Sequence, residues 1–264
     1  MPISKHPSFD AKPEMGLHGL KDLLTTTKYL REHCEFLAPV VGLAAKATRE
    51  AASSCLRSAK RLPYLGLQRK PGASLTHLEV QFERAMFKRW SSQDGTADSG
   101  WHRLLDYQVP VKDRQKAVLG LKAIDLLGIG VTGLPIIVEL KIVRKEKGAD
   151  TPLLALLEAA AYACIIQMDW PFFKNQLEAK TKLLGINDLL PDRLGEVSLV
   201  IAGPPAYWDF WNYEARTSVI DAKPAFRLLV DSCRREGLPV SFTSVTGSIA
   251  EPETLTATRA PFLD

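Results

Sequence analysis

The sequence predicts an α/β protein with a central mixed β-sheet flanked by helices, preceded by a helical N-terminal extension. Three observations predict this fold: three strand-like runs follow one helical segment, a strongly apolar helix comes next, and two further strand-like runs enclose another helix. The strand-like runs cover residues 104–112, 117–129, 134–143, 196–203 and 238–245. The fourth run is almost continuously apolar, as in strands that are buried on both faces.

The first part of the chain differs in pattern from the rest. Residues 1–16 contain prolines and a glycine and few large apolar groups, which indicates a flexible start. Helical signals dominate from residue 17 onwards, and a segment with prolines and glycines but no clear period follows them. We therefore assign residues 17–70 to a helical extension and linker, and residues 71–264 to the main domain.

One predicted helix of the extension carries a basic stripe, formed by Lys46, Arg49, Arg57 and Lys60. Such a stripe can meet the phosphates of a nucleic acid, but the solvated face of an exposed helix has the same pattern. The extension is also where we expect a homodimer contact or a partner protein.

The composition excludes several classes of protein. No apolar stretch has the length of a membrane span and no signal-peptide pattern is present, so we expect a cytoplasmic protein that does not bind membranes. The four cysteines form no CxxC pair, which argues against a zinc site or a disulfide framework. A formal net charge of +4 permits a polyanionic partner without arguing strongly for one.

The main domain opens with the segment THLEVQFERAMFKRW, whose apolar residues recur at helical spacing, with Thr76 as the predicted N-cap. Glu79 and Glu83 are four residues apart and therefore share one face of this helix. A second, apolar helix opens at Pro152 with the sequence LLALLEAAAYACII. The remaining helices are predicted at about 171–184 and over AFRLLVDSCRRE, between Pro224 and Gly237.

A predicted β-hairpin at residues 124–141 brings two acidic residues together. Its strands turn at a glycine-containing segment centred on Thr132, which sets Asp125 directly across from Glu139. Because strand side chains alternate, Lys141 shares a face with Glu139, and the apolar residues around them point to the other side.

These three side chains have the parts of metal-assisted phosphodiester hydrolysis. Two carboxylates side by side repel each other, and a divalent cation removes that penalty. Proteins hold Mg²⁺ with one or two carboxylates, substrate phosphate and water. An ammonium group two residues further on can orient the attacking water or neutralise the charge that builds up on phosphorus.

The pattern D-x13-E-x-K on a hairpin, preceded by a helix with glutamates and followed by an apolar helix, resembles the PD-(D/E)XK nuclease superfamily. The resemblance covers about residues 76–247 and implies a restriction endonuclease-like core. It implies that Asp125, Glu139 and the backbone carbonyl of Leu140 bind Mg²⁺, with Mn²⁺ as a substitute. It further implies that Lys141 assists the nucleophilic water.

The resemblance implies further site residues on the two neighbouring helices. The leading helix commonly contributes another acidic, metal-binding residue, for which Glu79 is the better match and Glu83 the alternative. Many members also carry a substrate-orienting Q-x-x-x-Y motif on the next helix, which Tyr162 fits, while Glu158 stands in place of the glutamine. A carboxylate cannot donate a hydrogen bond, so Glu158 either orients substrate in protonated form or binds metal.

Two weaker features follow the hairpin. Arg144, Lys145 and Lys147 lie where a strand gives way to a loop and can contact a nucleic-acid backbone, although a solvated charged loop fits at least as well. The aromatic run AYWDFWNYEA can stack on unpaired bases, but aromatics directly after a buried strand are more often core.

We therefore expect a Mg²⁺-dependent deoxyribonuclease. Two questions stay open: whether RNA is also a substrate, and whether the enzyme is an endo- or an exonuclease. One alternative keeps the nuclease fold as a catalytically inactive nucleic-acid-binding or scaffold domain, although adjacent carboxylates repel phosphate. Another is an unrelated α/β protein in which the hairpin pattern arises by chance, as short motifs do.

Overall fold

The computed structural model describes residues 77–110, 123–143, 152–186, 190–214 and 222–262. All five ranges belong to the predicted main domain, and the predicted N-terminal extension lies outside them. No helix within these ranges combines the length and apolarity needed to cross a membrane.

Helices and strands are distributed along the described chain as an α/β fold requires. The helices are α1 (Leu78–Trp90), α2 (Pro152–Met168), α3 (Trp170–Leu183), α4 (Pro205–Glu214) and α5 (Ala222–Arg235). The strands are β1 (Arg103–Pro110), β2 (Ala123–Ile129), β3 (Pro135–Leu140), β4 (Ser198–Gly203), β5 (Val240–Thr246) and β6 (Thr256–Arg259). Short 3-10 helices cover Ala97–Ser99 and Pro252–Thr254.

The strands form one six-stranded mixed sheet in the order β1-β2-β3-β4-β5-β6. Strands β1, β2 and β3 pair antiparallel, β3, β4 and β5 pair parallel, and β6 is antiparallel to β5. Each parallel connection passes through helices, as parallel neighbours require. The predicted α/β fold with a central mixed sheet flanked by helices is confirmed.

Each face of the sheet carries its own hydrophobic core. The core on the α2 face joins the sheet to α2, α3, α4 and α5, and it contains Ile137 and Ile201. The core on the α1 face joins the sheet to α1, and it contains Val138 and Val200. Successive residues of β3 and β4 thus point into two different apolar layers, which explains why their sequences are continuously apolar.

The structure corrects the start of two predicted helices and adds one helix and one strand. Helix α5 begins at Ala222, so Pro224 lies inside it and not before it. Helix α1 begins after His77, which makes no side-chain cap hydrogen bond, so the prediction of Thr76 as N-cap is wrong. The aromatic run after β4 forms helix α4, in which Tyr207 and Trp208 are almost completely buried. Base stacking by these two rings is therefore excluded. Strand β6 was not predicted, because three of its four residues are exposed and leave little apolar pattern.

A buried ion pair joins β1 to α3. Lys180 Nζ lies 3.7 Å from Asp106 Oδ2, and the two side chains are 7% and 2% exposed. The register of β1 against β2 shifts between Leu104 and Asp106, which is a β-bulge. Leu105 packs in the core on the α2 face, so the bulge turns two consecutive residues towards the helices on that side.

We predict that Lys180→Met lowers the free energy of unfolding by about 3 to 5 kcal/mol, because it removes the cation beside a buried carboxylate. Lys182→Met is the matched control, since Lys182 lies in the same helix but is exposed, and it should change stability by less than about 0.5 kcal/mol. Urea denaturation followed by circular dichroism measures both variants. Equal effects of the two substitutions would contradict a stabilising role for the ion pair.

Candidate active site

The hairpin formed by β2 and β3 has the register that the sequence predicts. Leu126 lies opposite Val138, and regular pairing of the two strands ends with this pair. The next positions outward are Asp125 on β2 and Glu139 on β3, so the two acids lie across from each other where the strands cease to pair.

The position of Asp125 is fixed by the backbone of β3. Its Oδ2 accepts a hydrogen bond of 2.9 Å from the backbone N–H of Leu140. Leu140 also pairs with Ala202 of β4 as part of the parallel ladder. The carboxylate of Asp125 therefore takes the place of a backbone acceptor at the end of the hairpin, which satisfies an N–H that would otherwise lack its strand partner.

Lys141 lies between two glutamates on the α2 face. Its Nζ donates hydrogen bonds of 2.8 Å to Oε1 of Glu139 and of 2.8 Å to Oε2 of Glu158 in α2. The side chains of Lys141 and Glu139 are only 9% and 4% exposed. As predicted, these two residues share a face. The residues that alternate with them pack in the core on the α1 face: Val138, Leu140 and Ile142.

Helix α1 brings further acidic groups to the site from the opposite face of the sheet. Glu83 is 1% exposed, and its Oε2 accepts a hydrogen bond of 2.7 Å from Nε2 of Gln108 in β1. Glu79, one turn earlier, is partly exposed, and its charge adds to the larger effect of burial in raising the pKa of both Glu83 and Asp125. Of the two glutamates that the sequence offers, Glu83 lies deep in the site and Glu79 lies at its border.

The site contains more acid than base. Five carboxyl groups surround one lysine: Glu79, Glu83, Asp125, Glu139 and Glu158. Burial raises the pKa of Glu83 to about 8, and burial followed by the charge of Glu83 raises the pKa of Asp125 to about 8. Burial and the neighbouring Asp125 hold the pKa of Glu139 well above its usual range. Burial and mutual repulsion therefore favour the protonated forms of these groups when no metal ion is bound.

Lys141 remains a cation despite its burial. Burial lowers the pKa of its ammonium group, but Glu139, Glu158 and Asp125 outweigh this effect and leave the pKa well above its usual value. A charged lysine donates hydrogen bonds and neutralises negative charge, but it cannot accept a proton. Tyr162, one turn after Glu158, is 4% exposed, and burial together with Glu139 raises the pKa of its hydroxyl, so that it stays neutral.

The oxygen atoms at the Asp125–Glu139 pair fit a divalent cation. Oε2 of Glu139 is buried without a hydrogen-bond partner, and such an oxygen is unfavourable unless an ion or a proton binds it. Asp125 keeps partial access to solvent, and the Glu158 side chain is 20% exposed, so the pair can be reached from outside.

Side chains alone do not complete a metal site here. Within the described ranges, no three His, Cys, Asp or Glu side chains are arranged so that they could hold a metal ion. Lys141 Nζ takes up one oxygen each of Glu139 and Glu158. A cation at this pair would therefore need a backbone oxygen, water and substrate as its other ligands, which is the usual situation of Mg²⁺.

The basic residues that the sequence offers for nucleic-acid contact lie outside the described residues. They are Lys46, Arg49, Arg57, Lys60, Arg144, Lys145 and Lys147. Their contact with a phosphate backbone stays a prediction. In contrast, Gln108 belongs to the site but was not predicted, because the residue pattern of its strand does not indicate which helix the amide contacts.

No known protein family, curated protein or solved structure matches this chain. The chemistry of the site therefore rests on the arrangement of its own residues. The resemblance to the PD-(D/E)XK superfamily stays a prediction, based on the hairpin motif and the helices beside it.

We predict that the metal-free protein loses stability as the pH rises from about 4.5 to about 8. Folding raises the pKa of Glu83 from 4.5 to about 8, so between these values the folded state binds more protons than the unfolded state. The free energy of unfolding must then fall as the pH rises through this window, by about 1.4 kcal/mol for each unit of raised pKa. Glu83→Gln should remove the share of this dependence that Glu83 contributes and leave that of Asp125 and Glu139, and it should exceed wild-type stability at high pH.

Thermal unfolding in the presence of EDTA, followed across the pH range, measures this effect. Glu196→Gln serves as the control, because it removes an exposed glutamate that precedes β4, at the opposite end of the β3–β4 ladder from Glu139, and it should follow the wild-type profile. A Glu83→Gln variant with an unchanged pH profile would show that Glu83 does not carry the proton.

Proposed function

We propose that this protein is a Mg²⁺-dependent nuclease that hydrolyses phosphodiester bonds of DNA. We propose further that its described domain is the restriction endonuclease-like core of a PD-(D/E)XK enzyme. One observation carries the proposal: Asp125 and Glu139 meet at the open end of the hairpin, where Glu139 has a buried oxygen without a partner and the ammonium of Lys141 lies beside it. A hairpin with a purely structural role gains nothing from facing like charges.

The order of elements around this pair supports the proposed core. Helix α1 precedes the antiparallel strands β1, β2 and β3, helix α2 follows β3, and β4 then pairs parallel with β3. Acidic groups from α1, β2, β3 and α2 consequently lie close enough to interact through their charges. This is the setting that the sequence motif implies for a nuclease of that superfamily.

In this proposal the two carboxylates and the backbone carbonyl of Leu140 hold the cation. Asp125 is already oriented for this role by its hydrogen bond from the Leu140 N–H. Bound Mg²⁺ would neutralise phosphate charge and lower the pKa of a water molecule.

Lys141 supplies a fixed positive charge next to the reacting phosphate. Because the neighbouring carboxylates keep its pKa high, it acts as a hydrogen-bond donor to the attacking water or to a phosphate oxygen. Its charge stabilises the transition state in which the bond from water oxygen to phosphorus forms and the bond from phosphorus to the leaving sugar oxygen breaks. The attacking water loses its proton to solvent, and the leaving oxygen takes one from solvent. Glu158 orients the ammonium from the other side, at 2.8 Å.

A catalytically inactive nucleic-acid-binding or scaffold domain is the second candidate. The ion pairs of Lys141 with Glu139 and Glu158 favour it, because they neutralise part of the site without a metal ion. Metal binding and cleavage distinguish the two candidates.

We predict that Mg²⁺ and Mn²⁺ raise the melting temperature of the wild-type protein, because they bind only the folded state. Asp125→Asn should abolish this rise and reduce cleavage by at least about 100-fold, since it removes one of two carboxylate ligands. Asp231→Asn, an exposed change on α5, is the control and should retain both properties.

Cleavage is measured on linear duplex, circular duplex and single-stranded DNA, and on RNA, each with and without metal. A rise in melting temperature that persists in Asp125→Asn would place the ion elsewhere. Metal binding without cleavage of any of these substrates would favour the inactive domain.

We also predict that Glu158→Gln retains or increases cleavage, if Glu158 serves to orient substrate and Lys141. The glutamine oxygen can still accept the hydrogen bond from Lys141, and its amide adds a donor for phosphate. Steady-state cleavage rates at several Mg²⁺ concentrations test this. A strong loss of activity that high Mg²⁺ partly restores would instead assign Glu158 to metal binding.

A further inference from the structure

Strand β1 breaks the alternation of its side chains at Gln108. Tyr107 packs against the core on the α1 face, Gln108 reaches Glu83 on that same face, and Val109 lies in the core on the α2 face. In a regular strand, successive side chains point to opposite faces. The break coincides with a φ of 49° at Gln108, which is the one non-glycine residue with positive φ among the described residues.

Strand β2 breaks its alternation at the facing position. Ile124 and Leu126 are two residues apart, yet they belong to cores on opposite faces of the sheet. Their partners in β1 are the two neighbours of Gln108, so Gln108 lies opposite Asp125. Since Glu139 follows on the next strand, Gln108, Asp125 and Glu139 occupy neighbouring positions on β1, β2 and β3, with the Gln108 side chain turned to the α1 face and that of Glu139 to the α2 face.

The unusual backbone at Gln108 has two consequences. It buries Val109 among the helices of the α2 face, and it turns the Gln108 amide towards α1, where Nε2 lies 2.7 Å from Oε2 of Glu83. A left-handed backbone is unfavourable for a residue with a Cβ atom, so the surrounding structure must hold it in place. Conformations of this kind cluster at functional sites.

The hydrogen bond from Gln108 is made to the carboxyl group of Glu83, which is buried and has little room to move. Glu83 is almost completely buried, where a carboxyl group requires hydrogen-bond donors. Its charge interacts with both Asp125 and Glu139. The Gln108 amide therefore fixes the orientation of the Glu83 carboxyl group relative to Asp125 and Glu139.

We propose that Gln108 is a positioning residue that holds the Glu83 carboxyl group against the Asp125–Glu139 pair and thereby sets the affinity of this site for a divalent cation. The inference rests on the proposed function, because it concerns the same cation. It adds Gln108 of β1 to the residues of the site, which otherwise come from α1, α2 and the β2–β3 hairpin.

Titration of the full-length protein with Mn²⁺, followed by calorimetry and by melting temperature, tests this role. Gln108→Gly removes the amide and also relieves the positive φ, so the variant should fold with the wild-type circular dichroism spectrum. We expect it to bind Mn²⁺ roughly 10- to 100-fold more weakly than wild type, the usual effect of losing a partner behind a metal site. Gln176→Ala, which removes an α3 amide that donates to the backbone carbonyl of Phe172, should bind as wild type does.

Gln108→Ala separates the loss of the amide from the change in backbone strain. It should show the same loss of Mn²⁺ affinity as Gln108→Gly but melt at a lower temperature, because alanine keeps the unfavourable φ. Wild-type Mn²⁺ affinity in either variant would overturn the proposed role of the amide and leave the nuclease proposal intact. Absence of Mn²⁺ binding by the wild-type protein would overturn both proposals.

Discussion

The burial of excess acid at the open end of the β2–β3 hairpin is the constraint on which the site depends. Five carboxyl groups meet there and one lysine accompanies them. Unbalanced charge is unfavourable away from water. Burial and the neighbouring carboxylates therefore raise the pKa values of Glu83, Asp125 and Glu139. Protons relieve the imbalance in the metal-free protein, and a divalent cation would relieve it in the proposed nuclease. One electrostatic imbalance therefore links the pH dependence of stability to the proposed chemistry.

The layered fold delivers these groups from several directions. Glu83 comes from α1 on one face of the sheet and Glu158 from α2 on the other, while Asp125 and Glu139 come from the strands between them. The apolar cores on both faces keep water away from the buried side of the site, which strengthens each polar interaction there. Placement on helices and strands also holds the oxygens in a fixed geometry, and Mg²⁺ tolerates little departure from its octahedron.

The sequence predicts the centre of this site better than its surroundings. The pairing of Asp125 with Glu139 follows from strand alternation and a glycine-containing turn, and the observed register agrees with it. The choice between Glu79 and Glu83 does not follow, because both lie on one helix face and only the docking of α1 decides which of them is buried. Gln108 could not be found from an apolar pattern, because its placement depends on a positive φ within a strand. The sheet was predicted except for β6, whose few buried positions give no periodic signal.

A crystal structure of the protein soaked in Mn²⁺, with an anomalous difference map, tests most directly whether one cation binds between Asp125 and Glu139. We expect a single strong peak within about 2.0 to 2.3 Å of an oxygen of each carboxylate, at coordination distances for a hard divalent ion. The oxygen of Glu139 that lacks a hydrogen-bond partner should be one of these ligands. A peak that contacts neither carboxylate, or no peak at saturating Mn²⁺, would contradict the proposed metal centre.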